Sequence, residues 1–168
     1  MSADVGQRLP FCPAPELPRL TGEILGTVAD TAETARYAIE EVCSGRRLED
    51  LEKCYSPTFV DHVNAMEFHG YEGARKSVAL YQRLFDDLRF ATEQQVSNGD
   101  RVATHWTLTG TYRGRQIKFS GITISRFEDG RIAEDWGYSD TVEIAKQLGV
   151  WRTMLVIVQE WRTLLGRA

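Results

Sequence analysis

The segment DGRIAEDWGYSD, residues 129–140, places acidic residues on either side of Asp135 near the end of strand-like sequence. In a mostly apolar cavity a carboxyl group resists ionisation, which raises its pKa toward the range useful to a general acid or base. Asp135 is therefore a candidate catalytic residue. The alternative is an ordinary structural carboxylate, paired with Arg126 or Arg131 at the end of the strand.

Two histidines could share in proton transfer. His105 could relay a proton with Asp135, although a single histidine in a strand is more often a packing residue. Asp61 and His62 are adjacent, so one of them must point inward if this run is extended. His62 could act as an acid or bind a substrate oxygen, and Asp61 could bind substrate or stabilise a turn. Their spacing is not that of metal ligands, so no metal site is predicted.

Aromatic side chains could form the walls of a site for a flat hydrophobic ligand. Tyr55, Tyr81 and Phe85 are the candidates, because aromatic surfaces suit polycyclic molecules and a tyrosine hydroxyl can orient a carbonyl group. Packing in the core is the alternative role for all three.

Composition narrows the classes of partner. The chain of 168 residues has a net charge of −4 and its basic residues are scattered, so nucleic acid is not an expected partner. The three cysteines show no metal-ligand spacing, which favours reduced thiols in a cytoplasmic protein. Neither secretion nor a membrane span is predicted, because no basic segment precedes an apolar run and charges interrupt the later apolar sequence.

Helical patterns come first along the chain. Residues 1–26 contain four of the five prolines and are predicted to form an extended or disordered arm. Thr27 or Asp30 can cap the first helix. Two further helices are predicted, a short one near 47–54 and a longer one from near Gly70.

From Leu88 onward the apolar period changes to two. Four strand-like segments are separated by turn-rich linkers that suit antiparallel hairpins, and a short helix follows over residues 141–148. Residues 150–168 have the spacing of an amphipathic C-terminal helix. We predict an α+β domain over residues 27–149, in which N-terminal helices cover a curved antiparallel meander sheet and enclose a pocket.

Alternation along the strands separates two groups of residues. The first is small and polar, and comprises His105, Thr107, Thr123, Ser125 and Asp135. The second is larger and apolar, and includes Trp106 and Trp136. Because a polar face can be turned to solvent for no functional reason, periodicity leaves open which group lines the pocket.

The order and spacing of five segments resemble the SnoaL-like polyketide (ester) cyclases of the NTF2-like superfamily. These are YSPTFVDH (55–62), HGYEGARKSVALYQRLFDDLRF (69–90), NGDRVATHWTLTGTYRG (98–114), FSGITISRFEDGRIAEDW (119–136) and AKQLG (145–149). The resemblance implies an NTF2-like (cystatin-like) cone that binds a hydrophobic, polyketide-like molecule. It also implies an enzyme without cofactor or metal, in which an aspartate moves a proton during ring closure.

The resemblance further implies which face is inside. It places the polar group, with His105, Thr107, Thr123 and Asp135, against the cavity, and it packs the face of Trp106 and Trp136 in a homodimer. The family aspartate stands seven residues after the glycine of the DG turn, at the position of Gly137, and a histidine of some cyclases falls on Thr123. Asp135, two residues before Gly137 on the same face, is the natural substitute.

Three functions follow from these observations. The first is a polyketide cyclase-like enzyme that acts on a hydrophobic oxygenated small molecule through Asp135, with help from His105 or His62. The second is a protein that binds a ligand, or directs its cyclisation by shape alone, because Gly137 replaces the usual aspartate. The third is an epoxide-hydrolase-like enzyme. Counted from Gly130 in the same way, however, this chain lacks an aspartate that related epoxide hydrolases use.

Overall fold

The computed structural model describes residues 22–64 and 66–148. The predicted arm up to residue 21 and the predicted C-terminal helix at 150–168 lie outside these ranges. Within them, the N-terminal helices pack on one face of a curved, unclosed sheet, which confirms the predicted α+β architecture.

Helical segments precede the first strand. They are α1 at Gly22–Tyr37, a π-helical turn at Ala38–Val42, a 3-10 turn at Leu48–Asp50 and α2 at Leu51–Cys54. The first helix therefore begins before the predicted caps Thr27 and Asp30. No proline occurs between Pro18 and Pro57, so nothing in this stretch forces a later start.

The two later helices have the predicted positions. α3 covers Gly70–Leu84, and α4 covers Thr141–Leu148. Gly70 has a φ of 62°, a conformation that favours glycine, and it turns the chain from the preceding strand into α3. The buried face of α3 includes Ala74, Ser77 and Val78.

The sheet has six strands, two more than the predicted meander. They are β1 Tyr55–Val63, β2 Met66–His69, β3 Arg89–Asn98, β4 Arg101–Tyr112, β5 Arg115–Glu128 and β6 Arg131–Ser139. Their order is β2-β1-β6-β5-β4-β3. β3 to β6 form the predicted antiparallel meander, whereas β1 pairs in parallel with β6. The long connection between β1 and β6 permits this parallel pairing, which the hairpin signals alone do not predict.

Tight turns set the register of the meander. Arg113 and Gly114 have φ angles of 49° and 76°, and Asp129 and Gly130 have 50° and 75°. Positive φ at both central residues is typical of type I′ turns, whose twist matches that of the flanking strands. Because side chains of paired residues lie on the same face, this register decides which side chains meet in the interior.

Candidate active site

A cavity of about 60 Å³ lies between the inner face of the sheet and the helices. Its lining is mostly apolar and is supplied by β1, β3, β4, β5 and β6, together with the π-helical turn, α2 and α3. The hydroxyl and carboxyl groups in this lining belong to Tyr55, Asp61, Ser77, Tyr81, Thr123, Asp135 and Ser139. An apolar cavity with a few convergent polar groups is typical of a small-molecule site.

Two carboxyl groups lie side by side in this cavity. Asp61 of β1 and Asp135 of β6 are partners in the parallel pairing of the two strands, and both line the cavity. Neighbouring strands are about 4.8 Å apart, so the two side chains are close. Asp135 is 6% exposed, and its Oδ1 has no hydrogen-bond partner among the described residues. A buried oxygen of this kind is available to a ligand that can donate a hydrogen bond.

Burial gives the two carboxyl groups different proton affinities. Desolvation, followed by the negative charge of Asp61, raises the pKa of Asp135 well above its ordinary value, and a hydrogen bond with Ser125 opposes this shift. Desolvation raises the pKa of Asp61 to about 6, and a hydrogen bond with Ser77 opposes it. Desolvation thus favours the protonated form of both groups, and the negative charge of Asp61 favours it further at Asp135. In such a pair the group that is harder to ionise, Asp135, can serve as an acid and the other, Asp61, as a base.

Two buried tyrosines stand near the carboxyl pair. Desolvation is the main cause that raises the pKa of Tyr55 and of Tyr81 above the ordinary value, and the charge of Asp61 adds to both shifts. Tyr55 Oη lies 3.5 Å from the Sγ atom of Cys43, whose own pKa burial raises to about 12. Both phenols therefore stay protonated near neutral pH and can donate hydrogen bonds to a ligand oxygen.

Gly137 also lines the cavity, two residue pairs further along β1 and β6. A Cβ atom at this position would have its nearest neighbours at 3.8 Å, the carbonyl oxygen of His62, and at 3.9 Å, Oγ1 of Thr123. These are ordinary contact distances, so packing does not require glycine here.

His105 and Thr107 were expected inside the cavity, and that placement is wrong. They lie on the opposite face of the sheet, in a groove beside Lys118 and α4. The cause is the register of β4 and β5, in which Trp106 pairs with Gly121 and so points inward, whereas His105 pairs with Ile122. Alternation separates the side chains of one strand into two sets that point to opposite faces. It does not specify which of the two sets in the neighbouring strand lies on the same face.

His62 faces outward as well. Its Nε2 atom lies 2.9 Å from Oε1 of Glu134, and its ring stacks on Trp136 with a centroid separation of 5.7 Å. Since successive residues of a strand point to opposite faces, Asp61 is the member of the adjacent pair that enters the cavity.

Phe85 does not line the cavity. It follows the last turn of α3 and packs against Tyr112 and Phe119, with ring centroids 6.5 and 6.2 Å away. Of the sequence-predicted residues, the structure thus brings together Tyr55, Asp61, Tyr81, Thr123 and Asp135. Their catalytic and binding roles stay predictions.

Sequence reasoning missed part of the wall. Ile39 and Cys43 reach the cavity from the π-helical turn and the residue after it, and a π-helical turn is not predicted by a regular helical period. Ser77 was also missed, although it is adjacent to Val78 and three residues after Ala74 on the apolar face of the helix. A serine at such a position signals a polar group directed into the interior.

Within residues 22–64 and 66–148, no three side chains of His, Cys, Asp or Glu are grouped as metal ligands would be. In the same part of the chain, no helix has the length and apolar character needed to cross a membrane.

A sequence profile of the SnoaL-like polyketide cyclases matches residues 33–148. No curated protein sequence matches the chain. Among solved structures, IdmH from Streptomyces antibioticus, described as a candidate polyketide cyclase, is 28% identical and has a TM-score of 0.61, covering 71% of this chain and 98% of its own. TsrD from Streptomyces laurentii is 25% identical and has a TM-score of 0.59, covering 80% of this chain and 98% of its own.

A candidate polyketide cyclase from Bacillus cereus shares the fold, with 24% identity and a TM-score of 0.65 over 85% of this chain and 97% of its own. These likenesses confirm the predicted NTF2-like architecture.

Proposed function

Because the chain belongs to the SnoaL-like polyketide cyclase family, we propose that it performs cofactor-free general acid–base chemistry on a hydrophobic, oxygenated small molecule of the polyketide type. The observation that supports this most strongly is the neighbouring carboxyl groups of Asp61 and Asp135 in an apolar cavity. Two titratable groups whose surroundings set their pKa values apart can serve as the acid and the base of one reaction.

The proposed reaction starts with removal of a proton from a carbon next to a carbonyl group. The carboxylate of Asp61 takes this proton, the C–H electron pair becomes a C=C bond, and the carbonyl oxygen takes the proton of Asp135. The resulting enol carbon attacks a second carbonyl carbon of the same molecule and forms the new C–C bond. Asp135 then recovers its proton from the enol hydroxyl, and Asp61 protonates the new alkoxide, so both groups return to their starting states.

The remaining polar groups support binding. Tyr55 and Tyr81 donate hydrogen bonds that orient the carbonyl oxygen, and the apolar lining holds the hydrocarbon part of the ligand. His62 and His105 take no part in this proposal, because both face away from the cavity.

Deuterium exchange tests the first step. Aryl methyl ketones, beginning with acetophenone, are incubated with the protein in D2O, and NMR follows loss of the α-proton signal. The wild type should exchange these protons faster than buffer, and Asp61→Asn should slow the exchange about 10²- to 10⁴-fold, the usual contribution of a general base. Glu134→Gln is the matched control, because this neighbouring carboxyl group faces outward to His62. Exchange at the buffer rate in the wild type, or an unchanged rate in Asp61→Asn, would contradict the proposal.

A second candidate function is shape-directed cyclisation or simple ligand binding, and Gly137 favours it. This residue lines the cavity where the family resemblance expects an aspartate, and packing leaves room for a side chain. Such a protein works by enforced proximity, so Tyr81→Leu should lower its rate whereas Asp61→Asn and Asp135→Asn should not.

We also propose a homodimer formed through the outer face of the sheet. Ile122 and Tyr138 are paired there and are 47% and 58% exposed, and Ile124 pairs with Trp136 beside them. Apolar groups gathered on an open sheet face are typical of an interface. Light scattering coupled to size exclusion should give twice the 19.1 kDa chain mass, and a monomer at all concentrations would contradict this.

The cytoplasmic location stays a prediction from the cysteines.

A further inference from the structure

Trp106 lies on the inner face of the sheet and is fixed in one orientation. It is 3% exposed, and its Nε1 atom donates a hydrogen bond of 2.9 Å to Oγ1 of Thr123. Its ring meets Phe90 and Phe119 edge to face, with centroid separations of 5.1 and 6.3 Å. A hydrogen bond at one edge and aromatic contacts on the ring leave the indole little freedom.

Gly121 makes room for the indole. It is the β5 partner of Trp106, and a Cβ atom there would lie 2.4 Å from both Cζ2 and Cη2 of the ring and 2.5 Å from the carbonyl oxygen of Tyr138. Side-chain atoms do not approach so closely, so the indole occupies space that any residue other than glycine would take.

The indole also limits the space beside the carboxyl pair. Trp106 lines the same cavity as Asp61 and Asp135, and that cavity measures about 60 Å³. This space is small for several fused rings, because a cavity of about 150 Å³ holds a single benzene molecule. A fused ring system that enters beside the carboxyl pair would therefore meet the indole of Trp106.

We propose that Trp106 is the specificity-determining residue for ligand size. It restricts the site to ligands of about one ring, and its removal opens a slot between Phe90 and Phe119 for further fused rings. The inference rests on the proposed function for the position of the ligand beside Asp61 and Asp135, but it concerns ligand size and not proton transfer.

Equilibrium binding of two probes tests the inference. The one-ring probe is 4-hydroxyacetophenone, and the probe with three fused rings is 1,8-dihydroxyanthraquinone. Trp106→Ala should bind the three-ring probe at least about tenfold more tightly than the wild type, because additional ring surface is buried, and the one-ring probe within about threefold. Trp136→Ala is the matched control, since it removes an indole from the outer face, and it should leave both affinities unchanged.

Equal affinities of the wild type and Trp106→Ala for the three-ring probe would overturn the inference. An equal gain for both probes would also overturn it, because that would indicate a generally loosened cavity. If near-UV circular dichroism shows that Trp106→Ala does not fold, Trp106→Leu serves for the same comparison. Free indole should raise the Tm of either folded variant by refilling the slot. An unchanged exchange rate in Asp61→Asn would refute the proposed function and leave this size test intact.

Discussion

Replacing Asp61 by asparagine should stabilise the protein relative to the wild type, and this advantage should be larger at high pH than at low pH. Burial raises the pKa of Asp61 from 3.8 to about 6, so the folded protein binds this proton more tightly than the unfolded chain does. The stability associated with the protonated carboxyl group is complete below the unfolded pKa and is lost as the pH rises through 6. Asparagine is neutral throughout and does not incur this loss.

The size of the effect follows from the two pKa values. One pKa unit corresponds to about 1.4 kcal/mol, so the ionisation of Asp61 lowers the free energy of unfolding of the wild type by about 1 kcal/mol at pH 4.5 and by about 3 kcal/mol at pH 8. The Asp61 side chain is partly open to solvent, which screens its charge, so these free energies are upper limits. The advantage of Asp61→Asn should therefore grow by up to about 2 kcal/mol between the two pH values. Changes in hydrogen bonding to Ser77 affect both measurements similarly and largely cancel in this difference.

Urea unfolding at pH 4.5 and pH 8, followed by circular dichroism, measures this difference. Asp86→Asn is the control, because Asp86 is exposed and its variant should show the same relative stability at both pH values. An advantage of Asp61→Asn that is constant or falls with pH would refute the view that this carboxyl group is desolvated.

Four further substitutions test the packing and hydrogen bonds of the cavity by urea unfolding or NMR. Thr123→Val removes the acceptor of the Trp106 indole and should cost about 1–3 kcal/mol of stability, the price of a buried unpaired donor; no loss would contradict this hydrogen bond. Gly121→Ala should destabilise by at least about 1–3 kcal/mol through overpacking, whereas Gly137→Ala should stay within about 1 kcal/mol of the wild type; equal effects would show that the two glycines have similar surroundings. Ser77→Ala should raise the pKa of the neighbouring carboxyl group above about 6, and a lowered pKa would contradict the hydrogen bond assigned to Ser77.

The sequence predicts much of the fold because its local signals are strong. The DG and RG turns, the period of two after Leu88 and the glycine that begins α3 all correspond to the observed elements. The pairing of β1 with β6 joins residues far apart in the chain, and no local pattern specifies it. That pairing brings Asp61 beside Asp135, so the sequence could offer Asp61 as a candidate site residue but not as the neighbour of Asp135.

The orientation of β4 shows the same limitation. The alternation within β4 is clear in the sequence, but the register with β5 depends on a hairpin turn and on Gly121, which admits the Trp106 ring. A polar residue such as His105 looks like a site residue by type, whereas a tryptophan looks like an interface residue. Register, and not residue type, decided which of them entered the cavity.

The most direct test of the acid–base pair is an NMR pH titration of the side-chain carboxyl carbons, assigned with the Asp61→Asn and Asp135→Asn variants. We predict that Asp61 titrates with a pKa near 6, and that the pKa of Asp135 lies well above its ordinary value of 3.8. Titration of both groups near the ordinary value of about 3.8 would contradict the account, because it would leave two carboxylates and no acid in the cavity.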